Sequence, residues 1–424
     1  MTPSSETRSG TSAALGYVTS LFFAWGFATS LIDPLIAALK RVFHLSYAEA
    51  FLTTFAWFIA YGAASLPAAW LLGRLGYSRA IIGALLLMVA GCLIVPLATI
   101  ADSYAAVLAA LFVIASGVTL LQVAANPLVA ELGPVATSHR RLNFAQAFNS
   151  LGTVVGPWLG SHLLLTGGVF AAGAVVSAQT RGESMRSIDL AFVGMGAFFA
   201  LVAALIFAAR HTVDSAAPAR GPGSDPPWKA LGSPWACAGA LATFVYVGSE
   251  VAIGSMLTNF LAGPESLNAP IATAGKLVAL YWAGALVGRF FGVALMKRIA
   301  AASLLGVCTL AAAALCLVVM RSGGTTAAVA AISIGLFNSI MFPTIFTLTL
   351  ERSRAPTSAT SGLLVFGIIG GALIPPLAGW IADRAGALGP AFIVPLMGYV
   401  CLFGFAAACW RSRAAGVPVQ APRH

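Results

Sequence analysis

The chain has 424 residues, 59% hydrophobic and 8% charged, with a formal net charge of +10. Soluble globular proteins carry about 25% charged residues, so the composition excludes a soluble protein and marks an integral membrane one. The basic excess does not signal nucleic acid, because Lys and Arg sit in short connections between apolar stretches and never alternate with aromatics as in a binding groove.

A crossing needs about 20 apolar residues. On that basis twelve spans are predicted, at 14–38, 49–72, 80–99, 105–131, 143–166, 188–210, 234–261, 273–295, 303–320, 325–350, 358–381 and 391–410. Residues 1–12 lack a basic n-region and a cleavage site, so the first apolar stretch is expected to be a retained span.

That span carries Asp33. A charge in hydrocarbon costs roughly 2.5–3.5 kcal/mol on insertion scales. Pro34 follows and predicts a kink there. Asp33 reads as a coupling carboxylate facing a water-filled cavity. The alternative is an acid near the outer end, separated by six residues from Lys40, that reaches interfacial water.

Gly73, Arg74, Gly76 and Arg79 lie in the connection between spans 2 and 3. Glycines allow a tight turn. The segment reads as a conformational latch pairing with acids on neighbouring helices, or as plain topogenic charge.

Spans 4 and 5 carry the amides Gln122, Asn126, Asn143, Gln146 and Asn149. Gln122 and Asn126 share a helix face, as do Gln146 and Asn149. Amides donate and accept without bearing charge, which suits sugar hydroxyls. Bonding between helices is the other reading.

Residues 211–233, rich in Pro, Gly, Ala and Ser, read as a flexible linker. It divides an N-terminal six-helix bundle (1–210) from a C-terminal one (234–424). Glu250 stands near the middle of span 7 with no basic residue close in sequence. It reads as a second coupling or sugar-binding group, or as a protonated acid bonded between helices. Tyr246, Asn259, Trp282 and Asn338 join the candidate sugar contacts, with Trp25, Trp57 and Tyr61 as further aromatics able to stack on a pyranose. Arg289 in span 8 is a second latch candidate.

The halves look like weak copies. Gln122 precedes Pro127 by five residues and Asn338 precedes Pro343 by five; Pro157-x-x-Gly160 matches Pro376-x-x-Gly379. Parallel repeats of this kind place a substrate site between the halves near the bilayer midplane. Of the 23 Lys and Arg residues, sixteen fall on one side if the N-terminus is inside, which predicts two cytoplasmic termini.

The six cysteines lie in apolar stretches without C-x-x-C spacing and read as packing residues, with no disulfide framework or metal site. No P-loop, H-E-x-x-H or G-x-S-x-G occurs, and the five histidines are scattered, so no enzyme constellation is visible.

Several segments resemble the major facilitator superfamily, and more narrowly its fucose/galactose/glucose:proton symporter family. They include LFFAWGFATSLIDPL (21–35), LLQVAANPLVAELGP (120–134), RRLNFAQAFNSLGT (140–153) and FVYVGSEVAIGSMLTNFL (244–261). The resemblance implies an all-α membrane protein of twelve helices, in two pseudo-symmetric bundles that rock around a central sugar site. It makes Asp33 the coupling carboxylate and sets Gln146 and Asn149 at the sugar. Fucose members have a glutamate where this chain has Gln122, and QVAANP is similar to the glucose/galactose branch.

The expectation is a non-enzymatic, cation-coupled hexose importer without cofactor, monomeric, in a bacterial-type inner membrane. The coupling ion is expected to be a proton, with sodium coupling or uniport as alternatives. Drug efflux and a non-transporting receptor are the competing readings.

Overall fold

A bilayer core offers no water to peptide groups, so a crossing segment must close its own hydrogen bonds, and a helix does so. The structure, a computed structural model, describes residues 5–31, 35, 38–39, 41–45, 47–164, 167–170, 175, 177–217 and 226–412. Asp33 and Pro34, with the kink expected there, lie outside the described residues. Among the described residues every regular element is helical.

The first half comprises α1 (Ser5–Ser30), α2 (Tyr47–Leu75), α3 (Tyr77–Ile100), α4 (Tyr104–Glu131), α5 (Ser138–Leu164) and α6 (Ala178–Ala208). The second comprises α7 (Pro234–Ala262), α8 (Ile271–Leu295), α9 (Ala301–Arg321), α10, α11 and α12 (Ile393–Arg411). Two of these are broken. α10 runs as Gly324–Asn338 and Met341–Arg352, and α11 as Thr357–Phe366, a short 3-10 turn, Gly370–Leu373 and Pro375–Ala385. Ten segments among the described residues are long and apolar enough to cross a membrane. α1 and α5, 26 and 27 residues long, carry more polar side chains and complete the twelve.

The linker departs from its expected flexibility at both described ends. Arg210–Ala216 is α-helical and Pro227–Gly232 is 3-10. The first piece is tied down by Asp214, which accepts from the Ser78 hydroxyl at 2.7 Å and its backbone N–H at 3.4 Å. Val213 is fully buried.

Within the first half α1 packs on α5, α2 on α4, and α3 on α4 and α6; within the second, α9 packs on α12 and α8 on α10. Close approach of α1 and α5 requires glycine. A Cβ at Gly26 would meet the backbone of Asn149, and one at Gly152 would meet that of Phe23 and Phe27.

The halves meet along two seams, α2 against α11 and α5 against α8. Gly62, Gly362 and Gly371 close the first, set against Ile369, Ala69 and Phe58. Hydrogen bonds join α4 and α5 to the second half, and along α5 they run from Ser138 to Ser150. Twelve residues of helix are about 18 Å, so the halves are joined from the linker face to roughly mid-depth. At the other face each half ties its own connections. Arg181 donates to Asp102 and to Val42 O; Glu265 accepts from the N–H groups of Leu388 and Gly389 at 2.6 and 2.8 Å.

Gly152→Leu is expected to lower stability by about 1–3 kcal/mol, the usual cost of forcing volume into a packed interface. Gly16→Leu, where a side chain meets open space, should leave it nearly unchanged. Thermal unfolding of the purified protein in detergent measures both.

Candidate functional site

Proline removes the N–H that would bond the carbonyl four residues earlier. Pro343 thus frees Ser339 O and Pro127 frees Val123 O. Both find side-chain donors: Arg289 Nε at 2.9 Å from Ser339 O, and Ser361 Oγ at 2.8 Å from Val123 O. Arg289, 9% exposed, also crosses the seam. Its Nη1 donates to Gln146 O at 2.7 Å and to the Ser150 hydroxyl. The candidate latch residue of span 8 thus joins α8, α10 and α5 at one point.

Three amides of the first half, Gln122, Asn126 and Gln146, lie together. Gln122 Nε2 donates to Tyr61 Oη at 3.1 Å, and Gln146 Nε2 to Asn126 Oδ1 at 3.4 Å. All four residues are buried. Among the described residues Asn126 Nδ2 is a buried donor without a hydrogen-bond partner. Such groups in native proteins ordinarily bond water or a ligand.

The second half repeats the motif with different chemistry. Asn338 Nδ2 donates to Tyr281 Oη at 2.8 Å, as Gln122 does to Tyr61 from the matching helix pair. Tyr399 Oη donates to Asn338 Oδ1 at 2.8 Å. Asn338 is fully buried and holds two tyrosines, with one amide N–H and one oxygen lone pair left over. Half-buried Glu250 lies one turn beyond Tyr246, whose hydroxyl is 2.7 Å from Glu250 Oε1.

At the linker face two acids cross reciprocally between the halves. Glu131, ending α4, accepts from the Thr357 hydroxyl at 2.8 Å and from Tyr77 Oη at 3.2 Å. Glu351, near the end of α10, accepts from the Ser138 hydroxyl at 3.0 Å and pairs with His139 Nε2 at 3.0 Å. Thr357 and Ser138 are the first residues of α11 and α5. Each acid therefore sits at a helix N-terminus of the opposite half, where the macrodipole favours negative charge.

Other expected site residues lie elsewhere. Asn143 joins the linker-face seam, donating to His139 O at 2.8 Å and Thr344 Oγ1 at 3.4 Å. Asn149 donates to Phe22 O of α1 at 3.2 Å. Asn259 is nine residues from Glu250, about 180° around the helix and roughly 13 Å along it, so it does not join the acid's cluster. Trp282 is 37% exposed and packs edge-on against Tyr281. Arg74 stacks on Trp70 at 3.9 Å, and neither it nor Arg79 forms the expected ion pair among the described residues. In their connection, acids instead hold the hydroxyls of Tyr77 and Ser78. Gly76 supplies the turn between α2 and α3 at φ 79°, and Gly73 lies inside α2.

Sequence reasoning missed Tyr281, Tyr399, Ser150, His139, Glu131 and Glu351. A signal for some was available: an acid ends span 4 and another ends span 10, and a tyrosine stands in both span 2 and span 8.

The Major Facilitator Superfamily matches residues 18–362. The glucose/galactose transporter of Brucella abortus is 42% identical over 400 residues, covering 92% of this chain and 93% of that protein. The L-fucose-proton symporter of Escherichia coli is 32% identical over 403 residues, covering 91% of each. The crystal structure of the transporter FucP in the outward conformation superposes with a TM-score of 0.83 at 30% identity, over 94% of this chain and 99% of that one.

Glu351→Gln should weaken the linker-face closure. Hydrogen bonds to charged groups are worth about 1.5–3 kcal/mol, so the form open at that face should gain about tenfold or more. Spin-label distances between Val135 and Arg354, both exposed, measure it after replacement of Cys237 and Cys401.

Proposed function

The chain belongs to the Major Facilitator Superfamily, and on that premise we propose that it is a secondary active sugar transporter. It carries a neutral hexose such as glucose or galactose in symport with a proton. The linker face is cytoplasmic, the membrane is a bacterial-type inner membrane, and the chain works as a monomer. The halves, 1–210 and 234–424, rock about the central site.

The observation that carries this reading is the facing pair of clusters at mid-depth. Neutral amides, with the Asn126 donor unpartnered among the described residues, lie on one half, and an acid flanked by tyrosines lies on the other. The likeness to proteins named for glucose/galactose transport and L-fucose-proton symport supports the substrate class and the ion. Along α5 the bonds joining the halves run from the linker face to mid-depth among the described residues, which suits a state open to the outside.

In the cycle Gln122, Asn126 and Gln146 bond sugar hydroxyls. Asp33 carries the coupling proton, and Glu250 assists from the opposite half. Sugar arrives from the outer face. Opening to the cytoplasm then requires Arg289 to leave Gln146 O and Ser150, and the Glu131 and Glu351 contacts to part.

Reconstituted protein should exchange glucose or galactose in counterflow, and absence of any hexose exchange would remove the substrate assignment. Asp33→Asn should abolish gradient-driven uptake while sparing exchange. Undiminished driven uptake would refute its coupling role, and uptake driven by sodium at constant pH would replace the proton.

A further inference from the structure

Tyr246 stands between two acceptors. Its hydroxyl is 2.7 Å from Glu250 Oε1 and 3.1 Å from the backbone carbonyl of Asn338. A phenol has one proton to donate, an ionised carboxylate has none, and a carbonyl only accepts. With Glu250 ionised, three oxygens share one hydrogen and one of the two contacts goes unmade. With Glu250 protonated, its O–H donates to Tyr246 Oη and the phenol O–H remains for Asn338 O, so both contacts are made together.

The surroundings agree with the protonated form. Among the described residues Glu250 forms no ion pair. Arg289 and Tyr281 of α8 lie near it and Tyr399 of α12 lies beside the tyrosine cluster. The Arg289 guanidinium, however, is directed to Ser339 O, Gln146 O and Ser150. The cation nearest Glu250 is thus spent on other acceptors.

We propose that Glu250 carries a proton in the closed-at-the-linker-face state and that Tyr246 relays its loss to the break in α10. When the proton leaves Glu250, the phenol O–H swings to the carboxylate, a charge-assisted and therefore stronger acceptor. Asn338 O is then released. One proton departs and Tyr246 keeps its own. Asn338 ends the first piece of α10, and the next residue, Ser339, anchors Arg289, which bridges to α5. The state of one acid thus reaches the cation that holds the seam. This deepens the reading of Glu250 as a coupling residue, and Tyr246 acts as a positioning residue.

Infrared difference spectra of the full-length reconstituted protein across a pH step test the relay without sugar or flux, so its failure is distinct from failure of sugar symport. The expected result is a protonated-carboxyl C=O band at neutral pH that Glu250→Gln abolishes, that Tyr246→Phe shifts, and that Asp33→Asn leaves in place. A wild-type spectrum with no band removed by Glu250→Gln, or a band unmoved by Tyr246→Phe, overturns it. If Glu250→Gln does not fold, Glu250→Asp replaces it: the shorter acid withdraws from Tyr246 and the band has to shift, and an unmoved band overturns the relay.

Discussion

The Arg289 guanidinium is the contact on which the arrangement of the two halves turns. Pro343 denies Ser339 O its helical donor, and Arg289 supplies one from the neighbouring helix. A guanidinium offers five N–H groups in a fixed fork, so the same side chain also reaches a carbonyl and a hydroxyl of α5. A charge at this depth is costly unless its hydrogen bonds are met. Separating α5 from α8 strips Arg289 of two acceptors at once, so its position and the state of the seam are one variable.

The linker face adds a second constraint of a different kind. Glu131 and Glu351 each take a partner from their own half, Tyr77 and Arg352, and a hydroxyl from the opposite half, so each acid is fully served only when the halves are together. The exchange follows from the internal repeat: α4 with α11 and α10 with α5 are equivalent helix pairs. Both contacts stand at helix N-termini, where unmet N–H groups cluster. Opening this face exposes two acids and two helix ends together, and water must replace the lost bonds.

Much of the fold was legible in the sequence, because hydropathy sets the depth of a residue along a span. The crossings, the repeat and the placing of the amides of spans 4 and 5 within the bundle follow from it. Partners were less legible. Helix periodicity fixes the face a residue shares with its own neighbours, but not which helix that face meets. The sequence thus does not reveal the two tyrosines that Asn338 holds, nor that Asn259 lies about half a helical turn round from Glu250. His139 was one of five scattered histidines, since its acid lies 212 positions away in sequence. The breaks in α10 and α11 were hidden because an apolar run is equally apolar whether or not its helix is continuous.

The two seams differ in what sliding along them requires. Where α2 lies on α11, glycines meet Ile369, Ala69 and Phe58, and dispersion contacts of this sort re-form at each small displacement. Where α5 lies on α8, directional bonds to Arg289 must break outright before any shift. α11 is itself pinned to α4 by Thr357 and Ser361 near the linker face, and beyond those pins its surface on α2 rests on apolar contact. Rotation of one half on the other must therefore unfasten both edges before the apolar one can glide.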